Sequence, residues 1–236
     1  VEGMLPLAFD WQQMLAVLAI ASLLVGNLAA IAQTNVKRML AFSTIAQMGF
    51  VLLGLVAGVS FGADGPSTAN TANAYSATMF YIITYVLTTL ATFGVLLLLS
   101  TSAVEVNKLS DLAGLNQRNP VMAGVLAAAM FSLAGVPPLV GFYAKLSVLQ
   151  ALMASSQALY IYLAVFAVIM SLIGAFYYLR VIKIMYFDEP VVHEPIVMQG
   201  DARLVLSLNG LSLLVLGLLP SGLMAICAHA IVELLV

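Results

Sequence analysis

Lys145 is the only charged side chain in the 35 residues from Pro120 to Ala154, and it follows the interruption Gly135-Val136-Pro137-Pro138. A lysine in hydrocarbon costs several kcal/mol, so it either faces a protein interior or water path, or snorkels to the headgroups. If the stretch is helical, about 15 Å of helix separates Lys145 from the segment's end near Ser155, too far for a lysine stem to span comfortably. That favours the interior. Burial disfavours the ammonium form of an amine, so such a lysine is suited to gain and lose a proton near neutral pH. The spans set out below contain no Asp or Glu, so an anionic partner must come from outside this chain, or water must serve.

The interruption bears on the same chemistry. Consecutive prolines remove backbone donors and clash with the preceding turn, so a regular helix breaks at Pro137-Pro138. Irregular backbone at membrane depth is tolerated where it is buried or lines a cavity, and broken helices build ion sites in transporters. The plain alternative is a proline kink with no further role. Ser43, Thr44 and Gln47 share a helical face, as do Tyr81, Thr84, Tyr85, Thr88 and Thr92. Two readings stand for them. Hydroxyls and amides at this spacing support a water wire, and they also bond backbone carbonyls or glue helices together.

Other chemistries have no residues to carry them. Cys227 is the single cysteine, and His193 and His229 are far apart, so neither a disulfide nor a metal site is expected. No glycine-rich phosphate loop, CxxC pair or Ser/His/Asp arrangement occurs, and no cofactor-binding motif is expected. A net charge of −2 gives no general basic surface for nucleic acid. The start, Val1-Glu2-Gly3, lacks an initiator Met and a basic leader, and reads as a fragment or a processed chain.

The elements that position these residues follow from composition. The chain has 236 residues, 63% hydrophobic and 8% charged, against about 25% charged in a soluble domain. It is expected to be an all-α integral membrane bundle with essentially no soluble domain. Runs of about 20 apolar residues cross the hydrocarbon core. They lie near 12–32, 39–59, 75–100, 120–154, 157–185 and 204–220. Residues 60–74 read as a polar loop, and the tail after Pro220 either continues the last span beyond a kink or lies along the interface. The Pro120–Ala154 segment is one broken span or two short ones. Counting it once puts Lys37, Arg38, Lys108, Arg118, Arg180, Lys183 and Arg203 on one side and no Lys or Arg on the other. The positive side is then cytoplasmic. This predicts six transmembrane helices, one of them broken, with both termini outside the cytoplasm.

The run Gln33-Thr34-Asn35-Val36-Lys37-Arg38, continuing through Ser43, Thr44 and Gln47 to Phe50, resembles a stretch of the proton-pumping membrane subunits of respiratory complex I and of Mrp-type cation/proton antiporters. Ser132 to Lys145 is similar to their broken helix with its lysine, and Gly174 to Arg180 to the signature that follows. The helix over 75–100 lacks the histidine and lysine of several relatives and is most similar to the subunit N branch. Gln47 stands where many relatives have histidine.

The resemblance implies a single antiporter-like domain over residues 1–236, the C-terminal half of a longer family domain. It implies a non-redox proton translocase subunit of an NADH–quinone oxidoreductase in the bacterial inner membrane. Lys145 would be the proton relay, Gly135, Pro137 and Pro138 would shape the broken helix, and Ser43, Thr44, Gln47, Thr84, Tyr85 and Thr88 would form the polar path. No cofactor or metal would bind this chain. FMN, iron–sulfur clusters, NADH and quinone would be handled by other subunits. Partners would be a neighbouring antiporter-like subunit, small membrane subunits, the bilayer and protons, with no nucleic acid. An Mrp-type antiporter subunit and a structural membrane spacer are the competing implications.

Overall fold

The computed structural model describes residues 8–59, 61–62, 65–66, 68–100, 106–154, 157–190, 196 and 200–235. Helices α1 (Ala8–Ile31), α2 (Val36–Val56) and α3 (Thr68–Leu99) come first, with the two-residue strands Phe61–Gly62 and Gly65–Pro66 paired between the last two. A 3-10 turn (Leu109–Leu112) and the short α4 (Leu115–Arg118) lead into α5 (Pro120–Ala134) and α6 (Val140–Ala154). Helices α7 (Ala158–Phe187), α8 (Gly200–Leu218) and α9 (Pro220–Leu235) complete the order. Among the described residues, 5 helices are long and apolar enough to cross a membrane: Asp10–Ile31, Val36–Val56, Asn70–Leu99, Ala158–Phe187 and Gly200–Leu218.

The starts are written in capping residues. Asn35 Oδ1 accepts from Arg38 N at 3.0 Å and opens α2, and Asn119 Oδ1 accepts from Met122 N at 3.1 Å and opens α5, where Pro120 needs no partner for its nitrogen. Outward faces are apolar. Val17, Leu97, Leu172 and Phe176 all stand more than half exposed, as a lipid-facing surface requires. Inside, small residues let helices approach closely, as at membrane helix contacts generally. A methyl on Gly26 would collide with the Ala46 backbone, and one on Gly210 would press on Val125.

Several expected boundaries are corrected. Residues 68–74 are helical, so α3 begins at Thr68 rather than 75, because polar Asn70, Thr71 and Asn73 extend the helix beyond the apolar stretch. Helix α1 begins at Ala8, ahead of the apolar run expected from residue 12, which puts the exposed Asp10 in its first turn. The tail after Pro220 is helical. Leu219 N still bonds Val215 O at 2.9 Å, so the chain bends rather than stops there, and α9 packs on α3. His193 and Glu194 lie outside the described residues.

One end of the bundle is stitched from its connections. Asn35 pairs with Lys108, Val36 N bonds Asn107 O at 2.8 Å, and Leu109 N bonds Thr34 O at 3.0 Å. Gly114 N bonds Ile184 O at 3.3 Å at the end of α7, and Asn119 Nδ2 bonds Ile196 O at 2.9 Å ahead of α8. These bonds bring the segments carrying Lys37, Arg38, Lys108, Arg118, Arg180 and Lys183 to the same end.

Candidate functional site

The site is built on the way α5 ends. Gly135 takes the left-handed conformation, φ 85°, that favours glycine. Its N–H bonds Ser132 O and Phe131 O at 3.0 Å, and Val136 N bonds Phe131 O at 3.0 Å, which is a Schellman cap. That cap leaves the last carbonyls, those of Leu133 and Ala134, pointing past the helix end, where the macrodipole is negative. The chain then turns back so closely that a methyl on Gly141 would stand 1.9 Å from Ser132 O, and Gly141 N bonds Ser132 Oγ at 3.1 Å.

Lys145 lies in the second turn of α6 and reaches back across the break. Its Nζ donates to Leu133 O at 2.8 Å, to Ala134 O at 3.1 Å and to Ser171 Oγ on α7 at 2.8 Å. The ring of Phe50 covers it, with the centroid 5.4 Å from Nζ. The side chain is buried rather than stretched toward a headgroup region. Among the described residues, the partners of this cation are therefore a helix C-terminus and a hydroxyl, with no carboxylate involved.

Gln47 ties this seat to two other helices. Its Nε2 donates to Leu133 O at 3.1 Å and to Tyr178 OH at 2.9 Å, while Tyr81 OH donates to its Oε1. Tyr178 OH and Ser43 Oγ are 2.5 Å apart. Gln47 is thus satisfied through both ends of its amide, as a buried amide at membrane depth must be.

Two small cavities flank Lys145. One, of about 20 Å³, is lined by Gln47, Tyr81, Thr84, Tyr85, Thr88, Ser132, Leu133, Gly141, Ala144 and Lys145. The other, of about 10 Å³, is lined by Asn27, Ala46, Gln47, Phe50, Lys145, Ser171, Gly174, Tyr177 and Tyr178. Each is about the size that one water molecule requires. The first collects Gln47, Thr84, Tyr85 and Thr88 beside Lys145. Ser43 joins through Tyr178, and Thr44 only through Tyr85, whose hydroxyl donates to Thr44 Oγ1 at 2.8 Å.

The threonine hydroxyls spend their protons on their own helices. Thr84 Oγ1 donates to Phe80 O at 2.9 Å, Thr88 Oγ1 to Thr84 O at 2.8 Å, and Thr44 Oγ1 to Leu40 O at 3.0 Å. Gly135 caps α5, and Pro137 and Pro138 stand in the turn between α5 and α6. Ser171, Ser132, Tyr177 and Tyr178 were not singled out by sequence reasoning as site residues. The only sequence signal for Tyr178 was its place in the run from Gly174 to Arg180, and Ser171 had none beyond being a hydroxyl in an apolar helix.

The chain matches the family described as "NADH:quinone oxidoreductase/Mrp antiporter, TM" over residues 3–174. It is 65% identical over 233 residues to NADH-quinone oxidoreductase subunit N of Polaromonas naphthalenivorans, covering 98% of this chain and 46% of that protein. It is 58% identical to the subunit N of Herminiimonas arsenicoxydans, covering 100% of this chain and 46% of that protein. The chain thus spans about half the length of the curated relatives it matches, at 46%. Among solved structures, a chain of respiratory complex I from Thermus thermophilus with bound aureothin superposes with a TM-score of 0.75 at 32% identity, covering 90% of this chain and 45% of that chain. A chain of the Mrp complex from Dietzia sp. DQ12-45-1b shares the fold, with a TM-score of 0.77 at 23% identity, covering 94% of this chain and 47% of that chain.

Proposed function

The chain belongs to the NADH:quinone oxidoreductase/Mrp antiporter family of membrane proteins, and from that premise we propose that it acts within a proton-translocating membrane subunit of an NADH–quinone oxidoreductase. Its role there is non-redox. It takes up and releases protons through Lys145 while quinone is reduced in other subunits, which hold the flavin and iron–sulfur chemistry. Its partners are the neighbouring antiporter-like and small membrane subunits. The observation that carries this reading is the seat of Lys145, a buried ammonium on the C-terminal carbonyls of α5 with a small polar cavity on either side. Each cavity is about the size of one water molecule, which a proton leaving or reaching Nζ needs beside it. Relatives named as subunit N, at 58% and 65% identity, favour this reading over an Mrp-type antiporter subunit.

We also propose six crossings of the bacterial inner membrane, with α5 and α6 making one broken crossing between them. The stitched end supports this. The chain leaves that end at Asn119 and returns to it at Ile184, so the path from α5 to α7 crosses an even number of times. Helix α7, with 30 residues, is one crossing, and α5 with α6 supplies the other. The cations at that end support a cytoplasmic assignment, with both termini on the opposite side.

The test is Lys145→Ala in the full-length subunit within the assembled complex. Coupled proton transport and quinone reduction should fall, while assembly and NADH oxidation by artificial acceptors persist. Wild-type proton transport in this variant would overturn the reading.

A further inference from the structure

We propose that Ser171 is the group through which Lys145 exchanges its proton, and that the proton passes into the cavity on the α7 side, beside Asn27 and Tyr177. This rests on the relay role proposed for Lys145 and assigns the direction in which that relay opens.

The inference comes from counting donors and acceptors around Nζ. An ammonium has three N–H groups, and three oxygens receive them: Leu133 O, Ala134 O and Ser171 Oγ at 2.8, 3.1 and 2.8 Å. A neutral amine has two N–H groups and one lone pair. Its two donors still suit two carbonyls. Its lone pair needs a donor, and a carbonyl has none to offer. Only the hydroxyl of Ser171 both accepts and donates, so only Ser171 matches both states of the lysine without leaving two lone pairs facing each other. The N–H aimed at Ser171 is therefore the one that can be given up in place.

The step balances without a further reagent. The Nζ–H bond toward Ser171 breaks as an Oγ–H bond forms, and the hydroxyl's original proton moves to a water molecule in the adjoining cavity. The amine is left neutral, the water becomes hydronium, and Ser171 ends as it began, now donating to Nζ. Reprotonation is the reverse.

The second cavity fits this use. It is about 10 Å³, the scale of one water, and Lys145 and Ser171 both line it. Its far side carries Asn27 and Tyr177, whose hydroxyl donates to Asn27 Oδ1 at 3.1 Å. Gln47 lines both cavities and bonds Leu133 O, so it stands as the partition between the α7 side and the α3 side. Gly174 keeps the chamber open, because a methyl there would lie 2.5 Å from Asn27 Oδ1.

The test uses the full-length subunit in the assembled oxidoreductase, reconstituted in liposomes. Proton transport per NADH and coupled quinone reduction are read for Ser171→Ala, Ser171→Thr, Gly174→Ala and Lys145→Ala, with NADH oxidation by an artificial acceptor and native-gel mobility as controls. Removal of a positioned acid–base group costs 100-fold or more in general; with water able to intrude, Ser171→Ala should slow coupled turnover by about tenfold. Ser171→Thr, which keeps the hydroxyl, should recover to within about twofold of wild type, a rescue that a packing defect would not show. Gly174→Ala should slow turnover with every polar side chain retained. Wild-type turnover in Ser171→Ala or Gly174→Ala beside an impaired Lys145→Ala overturns the inference, as does a Ser171→Thr as slow as Ser171→Ala. Should Ser171→Ala fail to assemble, the Thr and Gly174 variants decide alone. Wild-type transport in Lys145→Ala instead removes the relay itself.

Discussion

Gly135 and Lys145 meet across the break in the bundle: a methyl group on Gly135 would stand 3.0 Å from Lys145 Cδ and 3.4 Å from its Nζ. The residue that ends α5 is thus also the floor under the side chain that caps it. Two penalties coincide at this position. A non-glycine residue at φ 85° is strained by about 1–2 kcal/mol, and the lysine stem must give way. Gly135→Ala should lower the thermal midpoint of the purified full-length subunit and weaken proton transport together. A variant with both properties unchanged would show that this close approach has no structural consequence.

Gln47 is the shared partner of three helices. Changing it to Leu keeps much of the volume and removes its bonds to Leu133 O, Tyr178 OH and Tyr81 OH. Membrane-buried side-chain bonds contribute about 0.6 to 2 kcal/mol each, so Gln47→Leu should cost about 2–4 kcal/mol. A chemical-denaturation series in mild detergent reads this directly. Loss below about 0.5 kcal/mol would mean that the tyrosines find other partners without difficulty.

The sequence made some of this legible for identifiable reasons. The consecutive prolines Pro137 and Pro138 disfavour regular helix, which pointed to an interruption in this stretch, and in the structure α5 stops at Ala134 and α6 begins at Val140. Lys145 stood out because charge in hydrocarbon is costly. Its true partners did not, because the carbonyls of Leu133 and Ala134 belong to apolar residues and carry no side-chain signal. Ser171 was hidden for a related reason: a lone hydroxyl in an apolar helix is common, and only the packing of α7 against α6 brings it to Nζ. The first two turns of α3 were hidden because hydropathy tracks apolar character rather than helix formation, and Asn70 and Asn73 are helical without being apolar.

The stitched end makes a topological prediction. Lys108 and Lys183 lie on segments joined through Gly114 and the end of α7, while Gln157 stands ahead of α7 at the far end of that helix. With Cys227 replaced by Ser, single cysteines at positions 108 and 183 should resist a membrane-impermeant thiol reagent added from outside intact cells, and one at 157 should react. External labelling at 108 would invert the assignment. Labelling at 183 but not 108 would instead break the single crossing shared by α5 and α6.

Replacing Lys145 with Arg separates charge from proton exchange. The seat is shaped for a compact ammonium, with three oxygens around one nitrogen, Phe50 above and Gly135 against the stem. A guanidinium is planar and wider, spreads its donors over a fork and stays protonated throughout the working range. Lys145→Arg should therefore keep a cation near the C-terminus of α5, so the complex should assemble and oxidise NADH with an artificial acceptor at the wild-type rate. Proton transport and coupled quinone reduction should fall as far as in Lys145→Ala, because a charge that cannot leave cannot relay. Transport well above the alanine variant would mean that a fixed positive charge at this depth is sufficient, and that Lys145 holds the broken helix together without itself exchanging a proton.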